Sequence, residues 1–195
     1  MSARMIVTFS LIMICVSPLW AAPHSHQSAY AGQEKRKIKT LSAQDLDALQ
    51  KGEGWGLAKA AELNGVPGPA HLLEMKNEIQ LTDSQVQQIE MLFQEMKQQA
   101  ISAGLVFVHL EQELNQMFAE KSVNEEKLLE KLGQIAEARQ QLRFVHLKAH
   151  LKTTDILSQH QIEQYNRLRG YTDDPCKNPP KGHDLTMWKQ HNQCE

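Results

Sequence analysis

The chain has few cysteines and few aromatic residues, and it has no large excess of either positive or negative charge. Its 195 residues include three cysteines, 6% aromatic residues, 21 Lys and Arg, and 23 Asp and Glu. A formal net charge of -2, with both signs interspersed, leaves no basic stripe that could neutralise phosphates, so we expect no nucleic-acid partner. The 41% hydrophobic content suits one small domain with a modest core.

Motifs of the common enzyme classes are also missing. The sequence has no Walker motif, no G-x-S-x-G nucleophile elbow and no H-E-x-x-H zinc motif. It therefore predicts a protein that is not an enzyme and that requires no cofactor.

The N-terminal region predicts export. Residues 1–22 carry one Arg, an apolar run from Met5 to Trp20 and then small residues, which is typical of a signal peptide. An uncleaved anchor is the alternative, although the run is short for a membrane span. Residues 23–40 are polar and have no hydrophobic period, which predicts a mobile N-terminal arm.

Two cysteines remain beyond the signal segment. Cys176 and Cys194 lie in residues 172–195, which we expect to form a loop-like tail. A disulfide between them is the expectation in an oxidising compartment. A zinc site that adds His183 and His191 is an alternative, although the C-x6-H and H-x2-C spacings are loose, and free thiols are another.

Residues 41–171 carry a helical pattern. Ser42 caps a short helix, Trp55 lies among glycines, and Pro67-Gly68-Pro69 forces a corner. From Leu81 onward the apolar residues keep a 3-4 spacing that predicts one long helix. Its expected seam is Val86, Ile89, Phe93, Met96, Ala100, Ala103, Phe107, Leu110, Leu114 and Met117.

A second long helix is expected from Val123 to Thr154. Ser122 and Glu125 match a capping box at its start. A short helix capped by Ser158 follows it. The apolar residues of the second long helix are Leu128, Leu129, Leu132, Ile135 and Ala136 in its first half, then Leu142, Phe144, Val145, Leu147 and Leu151. We therefore expect an all-α fold, a long antiparallel helical hairpin with shorter flanking helices, whose wide apolar surface predicts a dimer or a groove for apolar clients.

Two short segments carry a resemblance. "LTDSQ" places Leu81, Thr82 and Gln85 in an LTxxQ pattern, and "LSQHQ" repeats it with Leu157, Ser158 and Gln161. Two copies that flank a long hairpin resemble the Spy/CpxP family of periplasmic proteins, which includes ZraP-like and CnrX-like metal-responsive relatives. Residues 54–171 carry the resemblance.

The resemblance implies a function. It suggests a periplasmic, ATP-independent chaperone or envelope-stress protein, a homodimer shaped as a cradle. Its partners would be unfolded envelope proteins or a sensor-kinase or other regulatory protein. The alternative that the resemblance suggests is a periplasmic protein that binds or senses zinc, nickel, cobalt or copper.

His146 and His150 are the residues on which the metal alternative depends. They lie four residues apart on the second long helix, where two imidazoles can share a metal ion. Around the helix axis, the two histidines lie to one side of the stripe formed by Phe144, Leu147 and Leu151. The alternative to metal binding is therefore a pair at the boundary of the apolar face that hydrogen-bonds to carboxylates or to the backbone. CnrX-like sensors add an N-terminal H-x-x-x-H, where this chain has only His24-Ser25-His26.

Overall fold

A computed structural model describes residues 27–172 and 184–191. The fold over these residues is all-α and contains no strand, as predicted. No helix within the two ranges is both long and apolar enough to cross a membrane. The elements are a 3-10 turn at Gln33–Lys35 and the helices α1 (Ala43–Lys51), α2 (Lys59–Glu62), α3 (Pro69–Glu74), α4 (Asp83–Ala119), α5 (Glu125–Thr154), α6 (Gln159–Leu168) and α7 (Leu185–His191).

Several predictions concern residues outside the described ranges. The signal segment and its cleavage, the start of the N-terminal arm, and the pairing of Cys176 with Cys194 all fall there. These remain predictions. The described part of the tail, which was expected to be loop-like, instead contains the seven residues of α7.

The predicted antiparallel hairpin is confirmed. Lys131 bonds to Glu113 near the turn and Lys152 to Glu95 far from it, so α5 runs back along α4. The buried residues of α4 continue the predicted seam and add Leu92 and Gly104 to it. They are Ile89, Leu92, Met96, Ala100, Gly104 and Phe107.

The start of α5 differs from the prediction. Asn124 is its N-cap, and the Asn124 side chain accepts a hydrogen bond from the Lys127 N–H. Ser122 instead donates its hydroxyl to the Met117 carbonyl, at the end of α4. The expected Ser122–Glu125 capping box is therefore wrong, because Ser122 completes the preceding turn.

The buried stripe of α5 contains only part of the predicted apolar set, namely Ile135 and Leu142. Phe144 and Leu151 are 55% and 64% exposed, on the side of the helix that faces away from α4. The stripe that packs inward keeps a 3-4 spacing but contains polar residues. Its members are Ile135, Ala138, Leu142, His146, Ala149, His150 and Thr153.

The N-terminal arm is anchored at its end. Ile38 is 2% exposed and packs in the same cluster as Leu41 and Phe107. The Thr40 hydroxyl donates to Glu111 on α4 at 2.7 Å. The last residues of the arm that was predicted to be mobile therefore contact α4 through Ile38 packing and through hydrogen bonds.

Trp55 holds the N-terminal helices on the hairpin. Its ring lies 5.6 Å from the Phe107 ring, and its indole N–H donates to Asp45 at 2.9 Å. Asp45 also completes the capping box of α1 with Ser42. Trp55 thereby joins the start of α1 to the middle of α4.

Candidate functional sites

The two LTxxQ-type segments form matching helix caps. Thr82 caps α4 and accepts a hydrogen bond from the Gln85 N–H, while Gln85 Oε1 accepts one from the Thr82 N–H at 3.0 Å. Ser158 and Gln161 make the same pair of bonds at the start of α6, also at 3.0 Å. Each motif thus satisfies two backbone N–H groups that the helix itself leaves unpaired.

The glutamines of the two motifs also bond to each other. Gln85 Nε2 donates to Gln161 Oε1 at 2.9 Å, and Gln161 Nε2 donates to Gln85 Oε1 at 3.0 Å. Each Nε2 also donates to a carbonyl two residues before the opposite cap, that of Ile156 or that of Gln80. The two motifs are therefore related by a local approximate twofold symmetry, with both amide groups fully bonded.

The motif leucines pack below this network. Leu157 is buried and Leu81 is partly buried in one cluster with Leu72, Ile79 and Ile89. The six motif residues that the sequence singled out are thus brought together at the open end of the hairpin. Their role in the described structure is to join the start of α4 to the start of α6.

We expect the two glutamines to be energetically coupled. Gln85→Ala and Gln161→Ala should each lower the free energy of unfolding by about 1–2 kcal/mol, since each removes a cap and half of the amide pair. The double variant should lose about 1 kcal/mol less than the sum, which urea unfolding would measure. Gln88→Ala, at an exposed site on α4, should be additive with Gln161→Ala. Strict additivity of Gln85→Ala with Gln161→Ala would contradict the pairing.

A cavity of about 430 Å³ lies between the loop after α1, helix α3 and the hairpin. Phe93, Met96 and Pro69 are among its apolar lining residues. Its polar lining residues include His146 and His150 from α5, with Lys59 and Lys97 from the neighbouring elements. The sequence alone does not indicate this cavity, because its walls come from segments far apart in the chain.

The two histidines are buried rather than at a boundary. His146 is 3% and His150 is 7% exposed. His150 Nδ1 lies 2.8 Å from the Val66 carbonyl oxygen, which can only accept, so Nδ1 carries the proton. In the neutral ring His150 Nε2 is then an unprotonated nitrogen with a free lone pair.

His146 has an unsatisfied ring nitrogen. Its Nε2 is buried and makes no hydrogen bond to any described residue. Burial lowers the pKa of His146, and the proximity of the His150 ring lowers it further, which favours the neutral form of His146. The expected bond to the backbone is found at His150, whereas both rings are buried and not at a boundary. Among the described residues, neither ring bonds to a carboxylate.

The pair supplies two of the donors that a transition metal would take. A ligating histidine commonly donates its other ring N–H to a carbonyl, which is the arrangement at His150. Within residues 27–172 and 184–191, no three His, Cys, Asp or Glu side chains are grouped so as to hold a metal ion. The residues present therefore fit a metal that accepts two imidazoles and few further protein ligands.

One of the two carboxylates that line the cavity, that of Glu62, is already engaged. Glu62 Oε1 accepts hydrogen bonds from the hydroxyls of Tyr165 and Tyr171, at 2.5 and 3.0 Å, and pairs with Arg169 at 3.0 Å. These contacts tie α2 to the end of α6. Glu62 therefore acts as a structural anchor at the edge of the cavity.

A second surface feature is a groove of about 380 Å³ that is lined by α4 and α5 alone. Its apolar lining residues are Ala103, Val106, Leu110 and Ala138, and Val106 is 53% exposed. Gln134, Gln141 and Glu137 complete the lining. The groove thus combines exposed apolar surface with amide groups that can hydrogen-bond to a peptide backbone.

A comparison of the chain with family models, with curated proteins and with solved structures finds no match in any of the three.

Proposed function

We propose that the protein is a periplasmic, ATP-independent chaperone or envelope-stress protein that holds unfolded clients on the hairpin. The observation that carries this proposal is the groove between α4 and α5, where apolar side chains such as Val106 stay open to solvent. Contiguous exposed apolar surface on a folded domain is typical of an interaction site. Glutamine side chains at the edge of the groove suit many clients, because their amides can hydrogen-bond to any peptide backbone, whatever its sequence.

The outer face of α5 supports the same proposal. Leu129, Phe144 and Leu151 are exposed there along most of the helix. This face would either enlarge the client surface or be buried in the homodimer that the resemblance implies. A sensor kinase or another regulatory protein is the further partner class that we propose for it.

We expect the protein to suppress the aggregation of a reduced, unfolding model protein at substoichiometric amounts, as measured by light scattering. Val106→Glu should weaken this suppression roughly tenfold, since it replaces exposed apolar surface by a charge. Gln98→Glu adds the same charge to α4 outside the groove and should have no effect. No suppression by the unmodified protein, even in excess, would rule the proposal out.

Metal binding is the second candidate function. The specific observation in its favour is the buried Nε2 of His146, which has no hydrogen-bond partner among the described residues and lies one helical turn from His150 on α5. A buried polar atom without a partner costs about 1–3 kcal/mol, so its presence needs an explanation. A metal bound by both rings would satisfy His146 and would use the tautomer that His150 already has.

We expect calorimetric titration of the metal-free protein to show about one zinc, nickel or copper ion per chain. His146→Gln should abolish this binding, since it removes one of two imidazole ligands and nearly keeps the side-chain size. His160→Gln, at an exposed site on α6, should bind as the unmodified protein does. Equal affinity in the His146 variant would remove this candidate.

A further inference from the structure

We propose that His146, His150 and Met96 form a site that selects Cu(I), a soft monovalent cation, over Zn(II) and Ni(II). This inference rests on metal binding, the second candidate function. It assigns Met96 as a ligand and names the ion. The experiment is therefore arranged so that a loss of selectivity and a loss of all binding are separate results.

The donor set is soft and small. Met96 is buried on α4, packs in one cluster with Ala149 of α5, and lines the same cavity as both histidines. Thioethers select Cu(I), and imidazole nitrogens bind copper well. Zn(II) takes three or four protein ligands from Cys, His, Asp and Glu, and no such group of three occurs among the described residues.

Two of the harder donor atoms at the cavity are already engaged. Glu62 Oε1 accepts hydrogen bonds from two tyrosine hydroxyls and pairs with Arg169. His71 Nδ1 pairs with Glu74 at 2.9 Å. An ion that used either of these atoms would have to break an existing bond, whereas an ion held by Nε2 of His146, Nε2 of His150 and the Met96 thioether would break no bond that the described residues make.

Charge at the cavity also favours a monovalent ion. Three lysines, Lys51, Lys59 and Lys97, and two carboxylates, Glu53 and Glu62, line it, which leaves a small positive excess. The Coulomb repulsion from this excess is twice as large for a divalent ion as for a monovalent one. Both the charge around the cavity and the type of ligands available therefore weaken the binding of Zn(II) and Ni(II) relative to Cu(I).

Gly68 lies against the Nε2 edge of His150 and carries no side chain that would cover it. A Cβ atom at residue 68 would lie 2.7 Å from His150 Nε2 and 2.7 Å from its Cε1. The backbone of Gly68, with φ -95° and ψ 150°, is extended and acceptable for alanine. Gly68→Ala therefore blocks or displaces the Nε2 edge without demanding a strained backbone.

The test measures Cu(I), Ag(I) and Zn(II) affinities of the full chain by competition with chromophoric chelators under anaerobic conditions. All thiols are alkylated first, so that cysteines cannot supply the site. We expect one Cu(I) or Ag(I) per chain, lost in His146→Gln and in His150→Gln. Met96→Leu, which conserves volume, should weaken Cu(I) and Ag(I) about tenfold and leave Zn(II) unchanged.

Two further readouts make the assignment specific. Gly68→Ala should weaken Cu(I) binding about tenfold or more, whereas Gly54→Ala, in the open part of the loop, should not. Long-range ¹H–¹⁵N spectra with Ag(I) should shift Nε2 of His150 and leave its Nδ1 protonated. If Zn(II) binds as tightly as Cu(I), the proposed selectivity is wrong but metal binding remains a candidate function. If none of the variants changes Cu(I) binding, both the selectivity and the metal-binding function at this site are wrong.

Discussion

Gly104→Ala is expected to destabilise the protein, although alanine favours helices by about 1 kcal/mol over glycine. Gly104 lies within α4, where α1 crosses it, and a Cβ atom there would come within 2.8 Å of the Leu49 carbonyl oxygen. That oxygen is backbone, so α1 would have to move away from α4. We expect the free energy of unfolding to fall by about 2–3 kcal/mol in urea titrations.

Gly133→Ala is the matched control for this prediction. Gly133 lies inside α5, and no atom lies within 4 Å of the position that its Cβ would take. The same substitution should therefore raise the free energy of unfolding there by about 1 kcal/mol. Stabilisation at both positions would mean that α1 does not approach α4 as closely as the structure has it.

The fold was predictable where local signals agree with one another. Thr82 and Ser158 are caps in sequence and in structure, and the 3-4 spacing after Leu81 gives α4 its length. The start of α5 was not predictable in the same way, because Ser122 and Asn124 are both good caps two residues apart. Only the hydrogen bond that Ser122 makes to the end of α4 decides between them.

Most of the residues in the buried stripe of α5 could not be predicted, for a different reason. This helix has apolar residues on both sides, and its outward side holds large ones such as Phe144 and Leu151. The inward side contains His146, His150 and Thr153, which an apolar pattern does not count. A search for the 3-4 spacing that admits buried polar residues would have found Ile135, Ala138, Leu142, His146, Ala149 and Thr153.

Contacts between distant segments account for the rest. The sequence names Gln85 and Gln161 as motif residues, but nothing local indicates that their amides bond to each other. In the same way it shows two histidines on one helix, but not that Val66 and Gly68 lie against one of them. These contacts depend on how the helices pack, which the pattern of a single helix does not contain.

Glu62→Gln is expected to be among the most destabilising polar substitutions in the chain. Glu62 is largely buried, and one of its oxygens accepts from two tyrosine hydroxyls while it pairs with Arg169. Removing the negative charge leaves Arg169 without its ion-pair partner in a partly buried position. We expect the free energy of unfolding to fall by about 2–4 kcal/mol at pH 7, measured in urea.

The pH dependence of this loss has a definite sign. Burial raises the pKa of Glu62, but hydrogen bonds from Tyr165 and Tyr171 and the charge of Arg169 outweigh burial and hold it below its ordinary value. A carboxyl group with a lowered pKa stabilises the folded state above its unfolded pKa and loses that contribution as the pH falls through its folded pKa. The difference between Glu62 and the glutamine variant should therefore be full at pH 7 and shrink below about pH 4.

Glu74→Gln on α3 serves as the control, because it removes the same charge from an exposed carboxylate that contacts only His71 among the described residues. Its effect on the free energy of unfolding should stay within about 0.5 kcal/mol from pH 7 to pH 3. Because the two carboxylates lie on neighbouring short helices, a change in net charge alone would affect both variants alike. A loss in Glu62→Gln that is as small as in the control, or that is unchanged at pH 3, would show that the anchor depends on shape rather than on charge.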